Sequence, residues 1–349
     1  MNTLMIYGAT GFTGRLVAEE AARQGLRPVL AGRSREELER LEKKLGLPWR
    51  NFGLDEPAQV RAGLAGTGTV LNLAGPFSAT AGPMIDACRA VGAHYVDVTG
   101  EAAVLEAAAA CDVEARRDGI VVLPGAGFDV VPSDCLAMHL KNRMPGMERL
   151  RLSISGLTRA SRGTILTAIE AIGRGTLVRR EGRIVELRRP PRAEADFGDG
   201  LRRTVAVSWG DVVTAWHTTD APWIEVHFQA TPALSALARA QAPLSRALRS
   251  RALKAVLKAI ARRAASDPSE RQRATGEARL LGEGWDASGQ RIASLMHTPN
   301  PYTLTAVTSL AVALRVTNGA VPPGFHTPGA AFGADFVLDF DGVTRQDTA

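Results

Sequence analysis

The chain reads as an α/β protein: a doubly wound parallel sheet, followed by a second α+β domain built on a largely antiparallel sheet. Three observations predict this. Through the first third, short continuous apolar runs alternate with helical stretches of about 8–15 residues, as in strands buried on both faces by crossover helices. A glycine triplet follows the first of these runs. After about Ser133 the runs change character and alternate apolar with polar residues, as in a sheet with one covered face. A length of 349 residues exceeds a typical single core, so two domains are expected.

Taken in order, strands are predicted at 4–7, 28–31, 49–52, 70–73, 95–98 and 120–123. Helices are predicted between them at 13–24, 35–44, 57–64, 80–91 and 102–116. Further strands are expected at 150–156, 177–180, 184–187, 204–207, 223–229, 278–284 and 291–297. The stretch 188–200, rich in Pro, Arg, Asp and Gly, reads as a mobile excursion. Residues 243–265 form a helical block whose stripe is Leu244, Leu248, Leu253, Val256, Leu257 and Ile260. A last helix is expected near 303–316. The domain boundaries follow: 1–135, 136–300, and a C-terminal helix and tail, 301–349, expected to return to the first domain.

The sharpest chemical signal is Gly8-Ala9-Thr10-Gly11-Phe12-Thr13-Gly14, placed between the first strand and the first helix. A pyrophosphate must approach backbone N–H groups at a helix N-terminus, and a β-carbon in the turn stands in its way. Gly8 permits the turn, Gly11 the close approach and Gly14 the packing of helix on strand. Thr10 and Thr13 add hydroxyl donors, and Phe12 completes the loop. A glycine triplet alone is weak evidence; with a strand before it and a helix after it, it defines a Rossmann dinucleotide site.

Cofactor choice is read at the end of the second strand. An NAD site usually carries an acid there for the ribose 2′-hydroxyl, whereas this chain has Ala31-Gly32-Arg33-Ser34-Arg35. Arg33 can pair with a 2′-phosphate and Ser34 can donate to it, so NADP(H) is the expected cofactor. The alternative is that Arg33 and Arg35 are solvated turn residues. Asp55 could hold the adenine edge or cap the helix beginning near Pro57, and capping is the expected role.

Several blocks together resemble the saccharopine dehydrogenase-like reductase family, in a compact bacterial form similar to trans-acting enoyl reductases. They are 8–14, 31–35, Asn72-Leu73-Ala74-Gly75-Pro76-Phe77, Ala93-His94-Tyr95-Val96-Asp97-Val98-Thr99-Gly100-Glu101, Gly125-Ala126-Gly127-Phe128-Asp129-Val130-Val131-Pro132-Ser133-Asp134, and Gly324-Phe325-His326-Thr327-Pro328-Gly329-Ala330. The resemblance implies that Asn72–Phe77 runs beside the nicotinamide ribose, with Ala74, Gly75, Pro76 and Phe77 as the cofactor contacts. Little side-chain bulk in that turn suits the role physically.

Blocks 95–101 and 127–134 fall at the carboxyl ends of strands, where substrate should sit. Hydride transfer needs positioning and a source or sink for a proton. Tyr95, Asp97, Thr99, Glu101 and Asp129 are the candidates; of these Tyr95, Asp97 and Asp129 are taken as catalytic and Thr99 is counted among the cofactor contacts. Structural alternatives stay open: Glu101 can start a helix, and Asp129 and Ser133 can organise the turn into the next one.

The expected function is therefore NADP(H)-dependent hydride transfer to a carbonyl, imine or enoyl group. The substrate would be a small molecule or acyl thioester bound between the domains. The competing expectation is an NADP-binding sensor or scaffold without turnover. None of the three tyrosines has Lys four residues on, which disfavours short-chain dehydrogenase chemistry. The six histidines form no metal motif, so no metal is expected; His297 and His326 remain minor donor candidates. The three cysteines form no C-x-x-C pair and read as small buried hydrophobes.

A net charge of +6 suits an anionic ligand, and no motif supports nucleic acid. No run approaches a membrane span, and the first residues lack signal-peptide character, so a cytoplasmic protein is expected. Every charge from Arg239 through Arg263 is positive; that face can meet an acidic carrier protein or a membrane surface, or simply be solvated. The resemblance adds a homodimer as an expectation.

Overall fold

Four-residue runs such as Leu-Met-Ile-Tyr cannot bury all their side chains as isolated helices, and they become strands covered on both faces. In the computed structural model they are β1 (Leu4–Tyr7), β2 (Val29–Gly32), β3 (Trp49–Asn51), β4 (Thr69–Asn72), β5 (His94–Asp97) and β6 (Val121–Leu123). The structure describes residues 3–157, 175–232, 250–264 and 267–348, with scattered positions between 165 and 173 and between 234 and 239.

The connecting helices are α1 (Phe12–Arg23), α2 (Arg35–Leu45), α3 (Pro57–Gly63), α4 (Phe77–Val91), α5 (Ala102–Ala109) and α6 (Asp112–Arg117). The strands pair in parallel in the order β6-β5-β4-β1-β2-β3, and a two-residue strand, Gly324–Phe325, adds beyond β6. The order in which strands are added reverses between β1 and β4, so the crevice at their carboxyl ends is the switch point where such folds take ligands. Tyr7 lies opposite Asn72 there.

The single helix expected at 102–116 is broken at Ala110–Cys111. Beyond the break, the Asp112 carboxylate accepts the Phe325 N–H at 2.8 Å and pairs with Arg116 at 2.9 Å. The interruption thus anchors the added strand. Helix Pro301–Thr317 lies in the same unit: Thr308 Oγ1 donates to the Ala126 carbonyl at 2.9 Å. Residues Met1–Val131 and Tyr302–Ala331 form this unit; Pro132–Pro301 and Phe332–Ala349 form the other.

The second unit contains α7 (Val131–Arg143), most of which lies beyond the boundary, and strands β7 (Arg149–Ser155), β8 (Thr176–Arg180), β9 (Arg183–Leu187), β10 (Arg192–Asp196), β11 (Leu201–Ala206), β12 (Trp223–Gln229), β13 (Glu277–Trp285) and β14 (Arg291–Pro299). A last strand, Thr344–Thr348, pairs antiparallel with β14. Every pairing is antiparallel except β12 with β7. Leu136 and Leu140 of α7 press on Gly282 of β13 so closely that a β-carbon there would fall 2.8 Å from Leu140 Cδ1.

One expectation is corrected here. The stretch 188–200 is no mobile excursion: residues 192–196 form β10, paired with β11. Asp196 Oδ1 accepts the N–H groups of Gly198 and Gly200 at 2.9 and 3.0 Å, which closes the turn. Phe197 and Ala195 are buried against Leu281, Ala293 and Leu295. Turn-forming composition hid a hairpin whose outer face is exposed. The helix Asp211–Thr219 and the polar strand Thr344–Thr348 were also not anticipated. Of the expected 243–265 helix, Arg251–Ala264 is described, while Leu244 and Leu248 lie outside the described residues.

Because Phe197 is a core residue, Phe197→Ala should lower stability by about 3 kcal/mol. Urea unfolding measures this; a change within about 0.5 kcal/mol, as at a surface loop, would restore the excursion.

Candidate functional site

The glycine loop connects β1 to α1 at the switch point. Gly8 adopts φ +80, and a β-carbon there would lie 2.7 Å from Ala74 N, so the loop presses directly on the end of β4. A β-carbon on Gly14 would lie 2.1 Å from the Gly8 carbonyl oxygen, so α1 packs backbone to backbone on the turn. Gly11 is different: its only close neighbour would be Gly8 O at 3.3 Å, which leaves its outer side open.

Gly8 N and Ala9 N donate to Ala31 O at 2.8 and 3.1 Å, tying the loop to β2. Helix α1 starts at Phe12 with no side-chain cap and no acid in its first turn. Its positive end is therefore uncompensated by the chain and suits an anion. The hydroxyls of Thr10 and Thr13 have no hydrogen-bond partner among the described residues and can donate to phosphate.

At the end of β2 the two arginines separate in role. Arg35 is engaged, its guanidinium 2.8 Å from Glu39 and over the Trp49 ring at 5.7 Å. Arg33 is exposed and has no ion-pair partner among the described residues. Ser34 is the N-cap residue of α2, yet its side chain makes no capping bond. Asp55 does not cap α3; the N-cap position is Glu56, whose side chain also makes no capping bond. Asp55 stands exposed near Tyr7, where its charge pushes the Tyr7 phenol upward after burial has already done so.

On the other side of the crevice, side chains stitch three strand ends together. Asn72 Nδ2 donates to the Tyr95 hydroxyl at 3.2 Å, and Asn72 Oδ1 accepts from Ala74 N at 3.1 Å. The Tyr95 hydroxyl donates to Asp97 Oδ2 at 2.6 Å. Asp97 Oδ1 accepts from Thr99 N at 2.9 Å and Gly125 N at 3.0 Å. Burial pushes Asp97 up to about 6 against the lowering effect of these donors. Burial, with the Asp97 charge beside it, holds Tyr95 well above its ordinary value, so the phenol keeps its proton.

Sequence reasoning offered Glu101 as a proton carrier or as the start of its own helix, where it stands at the N-cap position without a side-chain cap bond. Instead its carboxylate reaches across to the start of α4, accepting from Phe77 N at 3.0 Å and Ser78 N at 3.3 Å. That explains why α4 begins at Phe77 rather than Thr80: a carboxylate satisfies two of the first-turn N–H groups. The Thr80 hydroxyl donates to Ala74 O at 2.6 Å, closing the 74–77 turn from inside. Thr99 Oγ1 accepts from Glu101 N at 3.1 Å.

Asp129 lies in the loop after β6, against Gly100, whose β-carbon would fall 3.0 Å from Asp129 Oδ2. Burial pushes its carboxyl up to about 7. The neighbouring Phe128 N donates to Thr305 Oγ1 at 3.0 Å. The same helix brings Tyr302 edge-on to Phe12 of the glycine loop, ring centres 5.2 Å apart. Sequence analysis placed Asn72 in the 72–77 block without its link to Tyr95 and missed Thr305, Thr308 and Tyr302; the paired threonines on an otherwise apolar helix were the available signal. His326 is held by the Pro322 carbonyl at 2.9 Å, and His297 belongs to β14 of the second unit. Among the described residues no group of three or more His, Cys, Asp or Glu could hold a metal ion, and no helix is long and apolar enough to cross a membrane.

This geometry defines the first unit as a dinucleotide-binding Rossmann domain. Residues 4–123 match the family model described as the saccharopine dehydrogenase NADP binding domain. The chain is 35% identical over 163 residues to the human saccharopine dehydrogenase-like oxidoreductase, a match covering 41% of this chain and 38% of that protein. It is 33% identical over 150 residues to a trans-acting enoyl reductase of Mycobacterium tuberculosis, covering 40% of this chain and 35% of that one. These curated relatives are thus matched over well under half of their length.

Among solved structures, saccharopine dehydrogenase (L-Glu forming) from Saccharomyces cerevisiae shares the fold over 99% of this chain and 100% of that chain, with TM-score 0.67 and 11% identity. Homospermidine synthase from Legionella pneumophila, solved in complex with NAD, shares it over 99% of this chain and 91% of that chain, with TM-score 0.64 and 11% identity. The fold of saccharopine dehydrogenase is thus shared along the chain, and the match to that family's NADP-binding model lies in residues 4–123.

Two raised carboxyls set a pH dependence of stability. A folded-state value above the unfolded one means that the folded chain holds extra protons, so this contribution weakens as pH rises through 6 and 7. Asp129→Asn removes one share. Its stability relative to the parent should rise by about 2 kcal/mol between pH 5 and pH 8, after discounting for residual solvent contact. Chemical unfolding at both values measures this; a pH-independent difference would contradict the assigned protonation.

Proposed function

We propose that the chain is an NADP(H)-dependent oxidoreductase that reduces a carbonyl, imine or activated carbon–carbon double bond, including that of an acyl thioester. The observation that carries the cofactor choice is Arg33: it directly follows β2 beside a Ser34 hydroxyl that makes no capping bond, has no ion-pair partner among the described residues, and stands where an NAD site carries an acid. A guanidinium there favours a 2′-phosphate over a bare 2′-hydroxyl. The name of the trans-acting enoyl reductase relative supports the double-bond option.

A bound nicotinamide supplies the hydride. The chain's own residues do the rest. Gly8, Gly11 and Gly14 shape the turn that takes the pyrophosphate, with Thr10 and Thr13 as added donors. Ala74, Gly75, Pro76 and Phe77, held by Asn72, Thr80 and Glu101, form the wall assigned to the nicotinamide ribose. Asp129 holds a proton on its carboxyl near neutral pH and is the assigned donor. Tyr95 and Asp97 are occupied with each other and with backbone N–H groups, which makes them positioning residues here.

The commitment of Tyr95 and Asp97 to the scaffold also favours the second reading, an NADP-binding sensor without turnover. A screen of enoyl, keto and imino substrates, following NADPH absorbance, separates the two. If the enzyme reading holds, activity should fall as pH rises through about 7, and Asp129→Asn should lower kcat by about a hundredfold or more while flattening that profile. Full activity in the variant would remove Asp129 from its role. For the cofactor, Arg33→Asp should weaken NADPH binding about tenfold or more with little change for NADH; equal loss of both, measured by calorimetry, would refute the assignment of Arg33.

A further inference from the structure

One helix from the far end of the chain touches both sides of the nucleotide crevice. The glycine loop follows β1 and the Asp129 loop follows β6, three strand spacings apart, roughly 14 Å. Tyr302 and Thr305 stand about one turn apart on helix Pro301–Thr317 and are neighbours on its surface. Tyr302 meets Phe12 of the glycine loop edge-on, ring centres 5.2 Å apart. The Thr305 hydroxyl oxygen accepts the Phe128 N–H at 3.0 Å, one residue before Asp129. That bond is buried, so its loss leaves an N–H that the loop must shift to satisfy. A β-carbon on Gly127 would fall 2.9 Å from Thr305 Cγ2 and 3.2 Å from Val98 Cβ, so the loop is pinched at that point.

We propose that Thr305 is a positioning residue for proton transfer: it fixes the 127–129 segment so that the Asp129 carboxyl keeps one place relative to the nucleotide loop. The role rests on the reading of Asp129 as the donor and names what places that donor. Gly100 bounds the carboxyl on one side, where a β-carbon would lie 3.0 Å from Asp129 Oδ2. Thr305 holds the backbone beside it. Because the same helix bears on Phe12, one rigid element sets the spacing between the nucleotide's loop and the donor's loop. Proton transfer needs the donor within hydrogen-bond reach of the reacting atom, and a misplacement of about 1 Å can cost about a hundredfold in rate.

The test is a double-mutant cycle in the full chain, read with NADPH and the substrate returned by the enoyl, keto and imino screen. Thr305→Val keeps the shape and removes the acceptor. Its kcat should fall about tenfold while KM for NADPH stays within about twofold, since the glycine loop is untouched. Thr305→Ser keeps the acceptor and should recover most of the lost rate. In an Asp129→Asn background Thr305→Val should cost nothing further, because residues that act through one carboxyl are not additive. Should Thr305→Val fold poorly, as judged by its melting temperature, Thr305→Ala takes its place in the cycle. Parent-level kcat in folded Thr305→Val, with Asp129→Asn impaired, would overturn the role of Thr305 alone. An equal further loss in the Asp129→Asn background would do the same, since a purely structural residue lowers the rate there too. Full activity in Asp129→Asn, or no turnover by the parent, would instead remove the donor reading and the role of Thr305 with it.

Discussion

The carboxyl ends of parallel strands leave backbone N–H groups that must be satisfied before anything else can be built at that rim, and Asp97 is the residue that meets this constraint. Its two oxygens take the Tyr95 hydroxyl and the N–H groups of Thr99 and Gly125, joining β5 to the loops after β5 and β6. Asn72 extends the chain of bonds to β4 and to the 74–77 turn. A buried carboxylate is costly unless it is hydrogen-bonded; here three donors offset much of that cost, and the loops they come from are fixed as a result. The positions of Glu101 and Asp129 follow from those loops.

The opposite side of the crevice is built by subtraction. Gly8 and Gly14 bring backbone against backbone at distances no side chain tolerates, whereas Gly11 leaves open space. The start of α1 has no acid and no side-chain cap. One wall is thus saturated with internal hydrogen bonds and the other is left with free donors and a positive helix end. A dinucleotide needs both: open donors for its phosphates and a rigid surface for its ribose and ring.

The first unit was legible in the sequence because its signals are local. A strand, three glycines and a helix lie within twenty residues, and the parallel order follows from right-handed crossovers. The second sheet was legible in outline, since alternation survives in β7, β12 and β13. What failed has a common cause. The 188–200 hairpin, the Glu101 contact with α4 and the Thr305 contact with Phe128 depend on partners distant in the chain. Turn-rich composition cannot show that Phe197 meets Leu295, and a Glu before a helix looks the same whether it caps that helix or another. The stripe Leu253, Val256, Leu257, Ile260 shows the limit differently: periodicity identified an apolar band, but only the fold revealed that half of it faces outward.

Asp97, buried, and Asp129, half-buried, share one physical cause for their raised values and differ in their surroundings. Asp97 is surrounded by donors, so a proton placed on it would cost hydrogen bonds that hold three loops; its chemistry is subordinate to its structural work. Asp129 is raised further, to about 7, by burial, and it lies against Gly100. Position and environment therefore separate two carboxyls that the sequence alone could only set side by side.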